Sequence, residues 1–156
     1  MNKQHFDSLY KYALKRTPVD YHGIYLYNGF YTFMSPVFIV FCAEKPVGHD
    51  IETDVLPFER LIQDIENKIP WKKSLKLEPH FFKCSLSGDS MEATKIADGY
   101  WVNKKLAYRI DLVINLREIK IPFREHKPCL LIGKNGYAYL MPCRAGLARR
   151  KGESHA

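Results

Sequence analysis

The stretch from Gly99 to Arg144 constrains the fold most, because its apolar pattern changes from strand to helix and back within 46 residues. A short apolar run ends at Asn103, a residue type that is favoured at helix N-caps. Leu106, Ile110 and Val113 then repeat at i, i+4 and i+7, which predicts the buried face of a helix. This order predicts a short strand that leads directly into a basic helix.

Three strands are predicted after this helix. Residues 119–123 have strand character, Pro128 and Cys129 open a second strand, and residues 137–141 form the last one. Asn135-Gly136 lies between the last two and is the pair that type I′ hairpin turns prefer. The C-terminal block is therefore predicted to have the order βαβββ.

Earlier in the chain, the sequence predicts two more helices and a second hairpin. Apolar periodicity indicates one helix over residues 4–16 and another over residues 57–69, where Pro57 suits the first turn. Asn28-Gly29 between two apolar runs predicts a hairpin, and residues 37–41 form a fully apolar strand. Residues 71–97 suggest two short strands. The predicted class is α+β, an antiparallel sheet with two to three short helices on one side.

The helix starts, near Gln4, Pro57 and Lys104, divide the chain into similar intervals. They favour a single domain over residues 1–144, built of three half-units near residues 1–50, 51–97 and 98–144. Residues 145–156 are basic and small, which is typical of a disordered tail. Repetition is visible in the order of elements and not residue by residue.

The charge balance predicts a polyanionic partner. A formal net charge of +7 and a pI near 9.2 favour nucleic acid, with a solvated basic surface as the alternative. Four widely spaced cysteines indicate reduced thiols, and no signal-peptide or membrane-span pattern is present, so a cytoplasmic protein is expected. No sequence motif calls for a metal or another cofactor, and none is expected.

Helix-borne cations are the candidate DNA-binding residues. Contacts of lysine and arginine with phosphate are independent of base sequence and sensitive to salt. The candidates on the first and last predicted helices are Lys11, Lys15, Arg16, Lys104, Lys105 and Arg109.

Three segments resemble the bacterial DNA sliding clamp, the beta subunit of DNA polymerase III. Val-Asn-Lys-Lys-Leu at residues 102–106 is similar to the strand-to-helix transition of the last clamp unit. Asp-Val-Leu-Pro at residues 54–57 resembles the start of the second helix of a clamp domain. Residues 127–132 and 139–144, which end in Leu-Met-Pro-Cys-Arg, resemble the C-terminal strands of the family.

The resemblance implies a non-catalytic replication accessory, or processivity factor, whose helices face duplex DNA. It also implies that Met141, Pro142 and Arg144 border a pocket for peptides of polymerases or clamp loaders. A clamp subunit of the family has three domains, whereas this chain has room for about one. A ring would therefore need a homo-oligomer with closed symmetry.

The alternative function is catalytic. Ser-Gly-Asp-Ser-Met at residues 87–91 resembles the motif of self-cleaving repressors and signal peptidases. In that group a serine, here Ser90, is the nucleophile and a neutral lysine, here Lys127, is the base. Charged neighbours of Lys127 favour a protonated ammonium group. We therefore predict that Ser90 lies in an exposed turn and that Lys127 is solvated and far from it.

Overall fold

The computed structural model describes residues 1–79, 81–82 and 92–143, in which three helices and ten strands are present. A 3₁₀ turn at Val19–Tyr21 follows the first helix. The elements in chain order are α1 (Lys3–Arg16), β1 (Ile24–Tyr27), β2 (Phe30–Ser35), β3 (Phe38–Cys42), β4 (Ile51–Glu52), α2 (Glu59–Lys68), β5 (Trp71–Lys76), β6 (Ala93–Ala97), β7 (Tyr100–Asn103), α3 (Lys104–Ile114), β8 (Leu116–Pro122), β9 (Cys129–Gly133) and β10 (Gly136–Leu140).

Eight strands form one sheet in the order β4-β1-β2-β3-β10-β9-β8-β5, and β6 and β7 form a separate hairpin. All neighbours in the large sheet are antiparallel except β1 and β4. β3 and β10 meet at the centre, with Val40 opposite Ala138. On either side of this pair the chain has the same order, one helix followed by three strands. We call α1 with β1–β3 the N-terminal half, and α3 with β8–β10 the C-terminal half.

The sheet is covered by helices on both faces. Along β3, Phe38, Val40 and Cys42 belong to the core that contains the buried residues of α1 and α3. Ile39 and Phe41, which point the opposite way, belong to a second core with α2. The α+β class is thus confirmed: α1 and α3 cover one face of the sheet, and α2 covers the other.

The placement of α2 has a simple cause. Its apolar stripe includes Phe58, just before the helix, and Ile62 within it. Both are buried, with exposed fractions of 3% for Phe58 and 0% for Ile62. Phe58 meets Tyr25 edge to face at a centroid distance of 5.9 Å. Tyr25 lies on the same sheet face as Phe41, so aromatic packing fixes α2 there.

Asparagine caps start both α1 and α3. The side chain of Asn2 accepts a hydrogen bond from the backbone N–H of His5 at 3.1 Å, and that of Asn103 accepts one from Leu106 at 3.0 Å. Each bond satisfies a backbone donor that the first helical turn leaves free. The cap predicted at Asn103 is therefore confirmed, and it fixes the point at which β7 becomes α3.

Only one of the two Asn-Gly pairs forms the expected turn. Asn28 and Gly29 both have positive φ, 48° and 84°, as a type I′ hairpin requires. In the C-terminal hairpin, Gly136 pairs with Gly133 as the first residue of β10, so the turn lies one residue earlier than predicted. The backbone N–H of Asn135 donates to the carbonyl of Ile114 at 2.9 Å, which ties this turn to the end of α3.

Some predicted boundaries moved, and others fall outside the described residues. β8 starts at Leu116, earlier than the expected residue 119, because the Asp111 side chain accepts a hydrogen bond from the Leu116 N–H at 2.9 Å. In the region 71–97, β5 and β6 are present, but residues 83–91 lie outside the described ranges, as does the tail 145–156. Of the helices described, none has the length and apolar character needed to cross a membrane.

Candidate nucleic-acid interface

Helix α1 exposes a basic face on the side that points away from the sheet. Its buried residues, Phe6, Leu9 and Ala13, recur at helical spacing and pack on the sheet. Lys11 and Lys15 lie one turn apart on the opposite face, and both are exposed. The amphipathic pattern that drives α1 onto the sheet therefore also directs these two ammonium groups to solvent.

Helix α3 packs against α1 and carries the other predicted cations. Lys104, Lys105 and Arg109 are half-buried, less exposed than the lysines of α1. The ammonium group of Lys104 lies 3.8 Å from the carboxylate of Glu92, so part of its charge is balanced within the protein. Of the two adjacent lysines, Lys105 is the better candidate for binding an external anion.

The two helices bring their arginines together at Tyr12. The guanidinium carbon of Arg16 lies 3.7 Å from the centre of the Tyr12 ring, and that of Arg109 lies 5.4 Å from it. Both distances are within the range of cation–π attraction. Arg16 also donates a hydrogen bond from Nη1 to the Tyr12 carbonyl at 3.3 Å. Arg16 and Arg109, predicted separately on two helices, are therefore neighbours.

Five of these six cations have no ion-pair partner among the described residues. Within the part of the chain that the structure describes, no salt bridge joins a carboxylate to Lys11, Lys15, Arg16, Lys105 or Arg109. The one acidic side chain of α1 that forms ion pairs, Asp7, is bound by Lys3 and His49. The α1–α3 surface therefore has an excess of positive charge and free donors for phosphate oxygens.

Tyr12 is the residue that sequence reasoning missed. A signal existed, because Tyr12 stands four residues before Arg16 on a predicted helix, and residues at i and i+4 are neighbours. The contact with Arg109 had no such signal, because it depends on how α1 and α3 pack. Local spacing therefore predicts the contact of Tyr12 with Arg16 but not its contact with Arg109.

The predicted partner pocket is only partly described. Met141 follows β10, and its backbone N–H donates to the carbonyl of Val37 at 2.8 Å. The side chains of Met141 and Val37 remain 39% and 38% exposed, so an apolar surface lies at this end of the central strands. Pro142 is half-buried, and Arg144 lies outside the described residues.

The catalytic alternative also falls partly outside the described ranges. Ser90 is not among the residues described, so its turn and its distance to Lys127 remain predictions. Lys127 is exposed, as expected. Its carbonyl accepts a hydrogen bond from the Tyr100 hydroxyl at 2.6 Å, and its N–H donates to the Arg124 carbonyl at 3.1 Å. These bonds fix its backbone and leave its side chain in solvent.

The cysteines within the described ranges carry free thiols. Cys42 and Cys129 are buried and Cys143 is half-buried, whereas Cys84 lies outside those ranges. Burial raises the pKa of the Cys42 and Cys129 thiols to about 12, so both are protonated and unreactive at neutral pH. Among the described residues, no three His, Cys, Asp or Glu side chains are grouped closely enough to hold a metal ion.

Comparisons of the chain with protein-family models, with curated proteins and with solved structures gave no match. The functional conclusion therefore depends on the geometry and charge of the α1–α3 surface.

Proposed function

We propose that this protein is a non-catalytic DNA-replication accessory module of the sliding-clamp type, which binds the backbone of duplex DNA through α1 and α3. The observation that carries the proposal is the convergence of the two basic helices on one face of the sheet, with Arg16 and Arg109 at the same tyrosine. A row of cations on two adjacent helices suits a regular series of phosphates and has no need of base contacts.

The order of elements supports the same proposal. Each half of the sheet consists of a helix followed by three strands, and both helices lie on one face. The resemblance of residues 99–144 to the last clamp unit implies helices that face DNA, and α3 carries the half-buried Lys105 and Arg109. A closed ring would need several copies of the chain, but contact of one helical face with DNA would not.

A second part of the proposal concerns partner proteins. Met141 and Val37 form a small exposed apolar surface at the end of β10, and the resemblance assigns Met141 to the partner pocket. We include binding of peptides from polymerases or clamp loaders as a property of this surface.

A charge-reversal experiment tests the DNA contact. Lys15→Glu with Lys105→Glu should weaken binding of a 20-base-pair duplex by about tenfold or more, because two phosphate contacts become repulsive. The slope of log affinity against log salt concentration should become shallower by about 2, at roughly 0.9 per lost contact. Fluorescence anisotropy between 50 and 200 mM salt measures both quantities.

The matched control changes the net charge equally on the other face of the sheet. Arg60 and Lys68 are exposed on α2, and Arg60→Glu with Lys68→Glu removes the same four units of charge. We expect this variant to lose only the small contribution of overall charge and to keep the salt slope. Equal losses in the two variants would show that affinity follows net charge, and the assignment to α1 and α3 would then be wrong.

A further inference from the structure

We propose that Arg16, Arg109 and Tyr12 form a binding site for one phosphate group, which we call the Arg–Tyr–Arg site. This inference rests on the proposed function and deepens it, because it replaces a general basic surface by one defined contact. The other cations of the surface, such as Lys11 and Lys15, are exposed side chains that contribute positive charge.

The geometry allows the two arginines to share one ligand. Their guanidinium carbons lie 3.7 and 5.4 Å from the same ring centre, so the carbons are separated by no more than about 9 Å. In charge-assisted hydrogen bonds each guanidinium carbon lies about 4 Å from the phosphorus, so two arginines on one phosphate span about 8 Å. The two ring distances allow separations of about 2 to 9 Å between the carbons, and all but the longest of these are short enough for a single phosphate to bridge.

The arginines are also oriented before any ligand binds. The Tyr12 ring lies within cation–π distance of both guanidinium groups. The hydrogen bond from Arg16 to the Tyr12 carbonyl gives the Arg16 side chain a second contact. Among the described residues, the Nε atom of Arg109 is the one buried side-chain nitrogen or oxygen without a hydrogen-bond partner. Since that N–H is covered, Arg109 must meet a ligand through its terminal amino groups. Side chains held in place lose less freedom on binding.

Charge gives the site its preference for an anion. Two permanent positive charges lie near each other, and the described structure shows no carboxylate paired with either. An anion between them would relieve their repulsion. The planar fork of arginine matches the oxygens of phosphate, and lysine, a point charge, cannot reproduce two parallel hydrogen bonds.

The test therefore exchanges arginine for lysine, which keeps the net charge. We expect Arg16→Lys and Arg109→Lys each to weaken duplex binding by about tenfold, and the double variant to be little weaker than either single variant, because both arginines hold one group. Arg60→Lys on α2 is the matched control and should bind as the parent protein does. Tyr12→Leu should lose as much affinity as the arginine variants, whereas Tyr12→Phe, which keeps the ring, should retain it.

A second readout uses inorganic phosphate as the probe. The NMR signals of the Arg16 and Arg109 Nε–Hε groups should shift along one titration curve, and the Arg60 signal should not move. Thermal unfolding of every variant shows whether the cluster only joins the two helices. If the lysine variants unfold at lower temperature but bind duplex and phosphate as the parent protein does, the cluster is purely structural and the site is wrong.

The outcomes separate this inference from the proposed function. If the lysine variants bind duplex normally while Lys15→Glu with Lys105→Glu does not, the Arg–Tyr–Arg site is wrong and the helical DNA surface stands. If neither set changes duplex binding, the proposed function is wrong. The phosphate titration then decides the site alone, because joint shifts of the two arginine signals support it and their absence overturns it.

Discussion

The N-terminal and C-terminal halves of the sheet share one order of elements, but their hairpins turn in different ways. In the N-terminal half, Asn28 and Gly29 adopt positive φ and the turn follows its local sequence. In the C-terminal half, Gly136 belongs to β10, and the turn residues are Lys134 and Asn135. The same dipeptide therefore has two roles in one protein.

Contacts outside the hairpin explain the difference. The N–H groups of Lys134 and Asn135 donate to the carbonyls of Asn115 and Ile114, at 3.0 and 2.9 Å, at the end of α3. The carbonyl of Asn135 accepts a third bond from the Ala43 N–H at 2.8 Å. Three tertiary hydrogen bonds outweigh the local preference of one dipeptide, because each satisfies a backbone group that would otherwise need water.

The largest expected effect comes from the two glycines of the C-terminal hairpin, Gly133 and Gly136. A Cβ atom at Gly136 would lie 2.0 Å from the Phe41 carbonyl oxygen, and one at Gly133 would lie 2.1 Å from that of Ile114. Alanine at either position should lower the free energy of unfolding by about 3 kcal/mol or more, because backbone atoms must move. Urea denaturation measures the change.

Gly29→Ala is the control in the other half. Nothing lies within 4 Å of the position that its methyl group would occupy, so only the φ of 84° at this residue opposes alanine. That strain costs about 1–2 kcal/mol. Equal losses at Gly29 and Gly136 would show that the close backbone approach in the C-terminal half is absent.

The helix caps should also differ between the halves, by a smaller amount. Asn103→Ala removes the acceptor of the Leu106 N–H, which belongs to a buried residue, and should lower the free energy of unfolding by about 1 kcal/mol. At the start of α1, the exposed Asn2 caps the N–H of His5, which is more exposed than Leu106. Asn2→Ala should therefore cost only about 0.5 kcal/mol. Serine at both positions keeps a cap and is the control for each in thermal unfolding. A larger loss at Asn2 than at Asn103 would contradict this explanation.

Much of the fold could be predicted from local sequence patterns, because the spacing of apolar residues indicates which side of a helix or strand is buried. The periodicity of Leu106, Ile110 and Val113 predicted α3, and the fully apolar strand around Val40 is typical of a strand covered on both faces. That strand was a signal that helices lie on both sides of the sheet. The stripe of α2 shows only that it has an apolar face, not which face of the sheet it meets.

The sequence also predicted one part of the candidate site, the exposed lysines of α1, but not the contact between its two helices. Helical spacing placed Lys11 and Lys15 on an outer face, and the structure has both exposed there. The convergence of Arg16 and Arg109 at Tyr12 depends on the packing of two helices that are far apart in the sequence. No local pattern contains that information.

The smallest expected effect compares one carboxylate from each half of the sheet. Hydrogen bonds from Lys3 and His49, at 2.7 and 2.6 Å, lower the pKa of Asp7 on α1. Hydrogen bonds from Lys76 and then Ser74 lower the pKa of Glu118 on β8. Both groups are ionised more readily in the folded state than in the unfolded state. Each therefore stabilises the fold above its ordinary pKa, 3.8 or 4.5, and loses that contribution as the pH falls through the lower folded pKa.

Measuring the free energy of unfolding between pH 6 and pH 2.5 tests this comparison. Asp7→Asn and Glu118→Gln should each remove part of the acid-induced loss, by a few tenths of a kcal/mol, since solvent screens both groups. The Glu118 effect should be the larger, because its side chain is 15% exposed and that of Asp7 is 36% exposed. Asp20→Asn, at an exposed carboxylate with no hydrogen-bond partner among the described residues, controls for the loss of one charge. In 1 M salt both differences should shrink. A larger effect at Asp7 would show that the pairs with Lys3 and His49, and not burial, decide how strongly each half responds to acid.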